Sequence, residues 1–251
     1  MSNDVQETLK RLSTTFTVKG IMTPGPQLVC ACNTEQAVTV SAGYPDFSVI
    51  PIRENGMITG FFQRDSHTTN KITVDNLISD GTNLLDLVDI FQQRDFSFVL
   101  SHQHIDGYVH YSDLNHQLVK WTFYVMLEAV ERVALESIRP ADERRYVAGK
   151  LGQERFEQID RQYKRAGDNA RSFLTYLNTA DILRLAVKEG SIELEDITIR
   201  AIKEVRDWAA HVLYDLPPDT AVNKLTTVRH ECLRILGGQR THSGNATGAA
   251  G

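Results

Sequence analysis

The chain has 251 residues, enough for two ordinary domains, each with a core of its own. A formal charge of −5, 41% hydrophobic and 24% charged residues exclude a strongly basic surface as a bulk property, so any contact with RNA needs a local patch. Cys30, Cys32 and Cys232 have neither the number nor the spacing of a disulfide framework or a zinc site. The first 20 residues hold no apolar run of signal-peptide type. The richest apolar window, Leu118 to Leu135, is broken by Lys120, Glu128, Glu131 and Arg132, so a membrane span is not expected and a cytoplasmic location is.

Residues 1–115 carry 7 Lys and Arg against 13 Asp and Glu, whereas residues 116–236 carry 19 against 19. The acidic part opens with a polar helical stretch, Asp4 to Leu12, followed by Thr17–Met22 and a proline stop at Pro24. A short strand is expected near Gln27–Ala31 and a capped helix over Asn33–Ala42. Phe47–Ile52 is β-rich, Glu54-Asn55-Gly56 is a hairpin signal, and Met57–Phe62 is the return strand. A second copy follows: a helix over Ile78–Phe91, a strand Asp95–Leu100 that repeats Asp46–Ile50 at an offset of 49, and a return strand in which Gly107 stands 47 after Gly60. Two such units predict one pseudo-symmetric domain.

At these residues the chain resembles a tandem pair of CBS modules, named from cystathionine β-synthase. Thr17–Met22 is similar to the opening of the first module, and Gly107-Tyr108-Val109-His110-Tyr111-Ser112-Asp113-Leu114 to the end of the second. The resemblance implies an adenine nucleotide as allosteric ligand. Asp113 would hold the ribose, with His110 (where Ser or Thr is usual) and Ser112 toward the phosphate. In the first module Gly60-Phe61-Phe62-Gln63-Arg64-Asp65 reaches its Asp one residue early, which makes Asp65 the corresponding candidate.

His116–Ile138 is a long apolar helix that follows without a Gly- or Ser-rich linker, so mechanical coupling of the two halves is expected. Glu128 in its middle is either surface-exposed or paired. Pro140–Glu143 starts a charged helix running to about Gly167 and containing Lys164-Arg165. Asp168–Tyr176 continues helical, and Thr179–Ala186 begins a helix ending at Gly190. In the next helix Ile199, Ile202, Val205, Ala209 and Val212 form an apolar stripe. Asp207 and His211, four apart, are expected on one face, with Arg206 about 100° away. The Pro217-Pro218 break, a helix over Ala221–Leu236 and a Gly-, Ser- and Ala-rich tail complete the chain.

A helical domain ending in Arg-Asp-x-x-x-His, a break and one more helix resembles the HEPN superfamily. The resemblance implies a homodimer, or a dimer of dimers, with a composite site that cleaves RNA without a metal. Arg206 would stabilise the transition-state charge, His211 would be general base or acid, and Asp207 would orient it. The products would be a 2′,3′-cyclic phosphate and a 5′-OH. Together the two resemblances give an α+β CBS pair over residues 1–115, an all-α HEPN-like bundle over 116–236 and a disordered tail over 237–251. The function expected is a ligand-regulated, metal-independent endoribonuclease, in the context of prokaryotic stress, toxin or phage-defence proteins. The alternative is a non-catalytic, nucleotide-sensing regulator whose helical domain serves dimerisation or partner binding.

Overall fold

The computed structural model describes residues 7, 11, 14–138, 140–167 and 172–237, with the side chains of 218 and 219 left aside. The tail beyond Gly237 and nearly all of the expected helix Asp4–Leu12 lie outside the described residues. The chain has an N-terminal mixed α/β region with two sheets, followed by an all-α region. It divides into two compact units. An α/β unit comprises residues 9–124 and 208–226, and a helical unit is centred on residues 125–207 with the chain from 227 onward.

In the α/β unit the elements run β1 (Thr23–Pro24), α1 (Thr34–Gly43), β2 (Val49–Glu54), β3 (Met57–Gln63), β4 (Thr68–Lys71), β5 (Leu77–Ser79), α2 (Leu87–Phe91), β6 (Phe96–Ser101) and β7 (His104–His110). One sheet has the order β1-β7-β6-β5 and the other β2-β3-β4; every pairing is antiparallel except β5 with β6. The β2–β3 hairpin forms where Asn-Gly was expected to turn the chain. Asn55 and Gly56 both take positive φ, 50° and 82°, as a two-residue turn matched to strand twist requires. Asn33 caps α1, accepting from the Gln36 amide at 2.9 Å. Because strand side chains alternate, Ile50, Ile52 and Phe62 pack with Ala31 and Ala37 in one core cluster, while Val49 and Phe61 meet Phe98 of the second sheet in another.

Both hairpins carry a register shift at the same point. Ile52 opposes Gly60 and Val99 opposes Gly107, and the register slips directly after each. One offset of 47 residues therefore superimposes both strands, Val49 on Phe96 and Gln63 on His110. The offset of 49 expected for the first strand is two residues out. A two-residue slip leaves every side chain on the same face, so the hydrophobic pattern does not detect it.

Two further stretches differ from the sequence expectation, and one strand had none. The stretch expected as a helix from Ile78 to Phe91 is strand at β5, where Ile78 pairs with Val99, and becomes helical only at Leu87. Residues Gln27–Ala31 form no strand beyond a single bridge from Ala31 to Ile52. β4 has no apolar pattern to announce it, being the polar edge strand Thr68-Thr69-Asn70-Lys71.

The helices that follow are α3 (Gln117–Glu136), α4 (Glu143–Leu151), α5 (Gln153–Ala166), α6 (Thr179–Lys188), α7 (Asp196–Ala210) and α8 (Pro218–Gly237). The single helix expected from Pro140 to Gly167 is two, parted at Gly152, whose φ of 88° interrupts helical geometry. Within the helical unit a buried carboxylate, Asp181, takes a forked contact from Arg155, with Nη2 at 2.6 Å, and also completes the capping box of α6 with Asn178. Arg144 bonds Asp160 and lies over the rings of Phe156, Tyr163 and Phe173. Lys164, from the expected Lys164-Arg165 pair, is engaged with Asp160 at 2.7 Å, and Glu128 is exposed.

Gly60 and Gly107 stand where a third strand pairs with each hairpin. A Cβ on Gly60 would lie 2.8 Å from the Asn70 carbonyl oxygen, and one on Gly107 2.9 Å from the Thr23 carbonyl oxygen and 2.6 Å from Met22 Sδ. Gly60→Ala and Gly107→Ala should each cost about 1–3 kcal/mol in denaturant unfolding, because backbone has to move. Gly43→Ala, with open space around its Cβ, should stay within about 1 kcal/mol of wild type. Equal effects at all three positions would contradict the close-approach account.

Candidate functional site

A cavity of about 460 Å³ lies in the α/β unit. Thr23 of β1 and the Gln27-Leu28-Val29 segment form one part of its wall. Asp46, Phe47 and Ser48, with Val49 and Pro51 of β2, form another, and Tyr108, His110, Tyr111, Ser112 and Asp113 close it. The alternation of β2 sends Val49 and Pro51 to the side opposite Ile50 and Ile52, which sit in the α1 core. β1 brings its part of the wall in by pairing Thr23 with Tyr108 and Pro24 with Gly107.

The closing turn is tightly self-bonded. His110 ends β7 and caps a short 3-10 turn, Tyr111–Asn115. Its amide donates to Asp113 Oδ2 at 2.8 Å, and its Nδ1 lies 3.3 Å from the Ser112 amide nitrogen and 2.9 Å from Ser112 Oγ. The Tyr111 amide donates to the Asp95 carbonyl at 2.9 Å. Burial is the leading influence on ionisation here. It lowers the pKa of His110, against the pull of Asp113 and Asp95, and raises that of Asp113, against the His110 amide bond and the charges of His110 and His116. The Tyr108 hydroxyl is pushed up by burial and by Asp113 and Asp95.

Three of the four expected ligand residues, His110, Ser112 and Asp113, therefore meet at one wall. Asp65 does not join them: it is exposed, in the turn between β3 and β4, and is not part of the cavity lining. The common offset of 47 makes Ser66, not Asp65, the counterpart of Asp113. Sequence reasoning missed Thr23, the Gln27–Val29 segment and Tyr108. The proline-rich run Thr23-Pro24-Gly25-Pro26 was the available signal, since its prolines restrict the chain to a short strand at Thr23–Pro24 and a 3-10 turn at Gly25–Gln27.

Arg206, Asp207 and His211 each have structural surroundings of their own. Arg206, on α7, has Nε 3.5 Å from Glu131 Oε1, and the same oxygen accepts from Thr179 Oγ1 at 2.5 Å. Asp207 pairs with Lys203 one turn back, at 2.6 Å. α7 ends at Ala210, so His211 is the first residue past the helix and is exposed. The apolar stripe ends with it: Ala209 is buried, whereas Val212 is 67% exposed.

The segment that carries His211 is held from beneath by Lys120, a fully buried side chain on α3. Lys120 Nζ donates to the carbonyls of His211, Val212 and Tyr214, at 3.3, 3.2 and 2.6 Å, and to Asp215 Oδ1 at 2.9 Å. Asn115 adds a second clasp. It accepts from Trp208 Nε1 and the Leu216 amide and donates to the Leu216 carbonyl, at 2.9, 3.1 and 3.1 Å. Among the described residues no group of three or more His, Cys, Asp or Glu is placed to hold a metal ion, and no helix is long and apolar enough to cross a membrane.

No family model and no curated protein matches the chain. Among solved structures, the CBS domain of a bacterial CNNM/CorC family Mg2+ transporter in complex with ATP aligns at 15% identity and a TM-score of 0.36, over 46% of this chain and 94% of that one. The same domain in complex with the inhibitor IGN95a aligns at 14% and 0.35, over 46% and 82%. A further structure of that domain gives 14% and 0.35, over 46% and 81%. The two-sheet region, with its repeated hairpins, is followed by the all-α region.

The lowered pKa of His110 gives a pH dependence. The folded protein takes up this proton less readily than the unfolded chain, whose value is near 6.5. The resulting stability is intact above that value and is lost as pH falls through it toward the lower folded value. His110→Asn should therefore flatten the fall in Tm between about pH 7 and about pH 5 relative to wild type. Parallel curves in the two proteins would contradict this assignment.

Proposed function

We propose that the α/β unit is a ligand-sensing module of the CBS type, and that the helical unit carries its output as a dimerising or partner-binding element. The observation that supports this reading is the cavity closed by His110, Ser112 and Asp113. Its volume falls in the range of small-molecule sites, about 300–1,000 Å³. Leu28, Val29, Val49 and Pro51 offer apolar surface on which a flat base can lie. Asp113 has one oxygen committed to the His110 amide, and Oδ1 takes no bond among the described residues. That oxygen is the natural acceptor for a ribose hydroxyl. The ligand expected is an adenine nucleoside or nucleotide.

Catalysis at Arg206, Asp207 and His211 has less support. A ribonuclease needs the Arg206 charge on a phosphate, and here Arg206 faces Glu131. Nor is His211 on the helix that was to align it with Asp207. The regulatory reading therefore stands as the main one.

A thermal-shift panel of adenine nucleosides and nucleotides tests it. At least one compound should stabilise the intact chain, and Asp113→Ala should weaken that compound about tenfold or more, the worth of a charged hydrogen bond. Arg206→Ala and His211→Ala should leave this binding unchanged. A single-stranded RNA pool in EDTA should stay intact; cleavage that disappears in His211→Ala would restore the endoribonuclease reading.

A further inference from the structure

In the sensor reading the cavity offers apolar surface to a base and Asp113 Oδ1 to a sugar, and the guanidinium of Arg64 is engaged with the Pro45 carbonyl and is not part of the lining. Among the described residues that line it there is no lysine or arginine, and two carboxylates are present, Asp46 before β2 and Asp113 after β7. A third acid, Asp95, acts on Tyr108 and His110 from nearby. The only basic side chain in the wall is His110, which burial holds toward its neutral form.

In the closing turn the backbone donors from His110 to Ser112, the usual substitute for a cation at a phosphate, are engaged as well. The amides of the closing turn are used in order: His110 on Asp113 Oδ2, Tyr111 on the Asp95 carbonyl and Ser112 on His110 Nδ1. A nucleotide held by its ribose at Asp113 would thus place its phosphate against acidic side chains and a turn whose first three N–H groups point elsewhere. Like charges in a partly dehydrated site repel more strongly than in bulk water.

We infer that the cavity selects a nucleoside that carries no phosphate and discriminates against nucleoside mono- and triphosphates. This rests on the sensor reading and names the chemistry of its ligand. A 5′ substituent that is uncharged or cationic suits the wall. A cation there gains from Asp46 and Asp113, whereas a phosphate loses to both.

Titration calorimetry of the full chain with adenosine, 5′-amino-5′-deoxyadenosine, AMP and ATP, with and without Mg2+, tests the inference. Adenosine and the amino analogue should bind; AMP should be weaker than adenosine by about tenfold or more and ATP weaker again, with added salt narrowing the gap. AMP or ATP binding as tightly as adenosine would overturn the phosphate discrimination and leave the sensor reading standing. Binding by none of the four would overturn both. The exposed rim residue gives an independent arm: Asp46→Lys should raise the ratio of AMP to adenosine affinity about threefold or more, since it exchanges a repulsive charge for an attractive one. An unchanged ratio would show that wall charge does not set the choice, and would overturn the inference.

Discussion

The α/β unit depends on two places where paired strands come too close for a Cβ. At Gly60 the carbonyl of Asn70 occupies the space a Cβ would need, and at Gly107 the carbonyl of Thr23 and the sulfur of Met22 do so. These approaches let β4 lie on the first hairpin and β1 on the second. The second has a consequence for function. β1 is only two residues long, and it leads directly into the segment carrying Gln27, Leu28 and Val29 at the cavity. The pairing of β1 with β7 thus brings Thr23 and the Gln27–Val29 segment into the same cavity lining as His110–Asp113.

The turn after β7 serves structure and chemistry with the same atoms. Asp113 caps the turn by accepting the His110 amide at Oδ2, and His110 Nδ1 in turn receives the Ser112 amide, while the proposed sensor uses Asp113 Oδ1 for its ligand. Two residues on, Asn115 grips Trp208 and Leu216, and Lys120 gathers the carbonyls of His211, Val212 and Tyr214. The C-terminal segment 208–226 is thereby part of the α/β unit. A buried lysine bonded to three carbonyls of the loop after α7 and to a carboxylate has its donors satisfied, which accounts for its lack of exposure.

Local chemistry made much of this legible in the sequence. Asn55-Gly56 fixed one hairpin, Asn33 a helix start, and the recurrence of Gly60 at Gly107 the internal repeat. What failed to show depended on partners far along the chain. β4 is polar because it is an edge, and β5 was taken for helix because Ile78 owes its strand to Val99. The Asp113 wall was legible from its motif, but not the Thr23–Val29 wall opposite, which strand pairing alone brings there. Likewise Arg206 is seventy-five positions from Glu131 in sequence, and no local pattern announces that ion pair. The helix around it was legible, whereas this long-range contact was not.

In the proposed sensor, ligand recognition belongs to the cavity between β1, β2 and the turn after β7. Hydrogen–deuterium exchange of the intact chain, with and without saturating adenosine, tests it most directly. The account predicts slowed exchange in three separated stretches, residues 23–29, 46–51 and 108–113, with the β3–β4 turn around Asp65 unchanged. Protection confined to residues 203–211, or centred on Asp65, with none at 108–113, would contradict it.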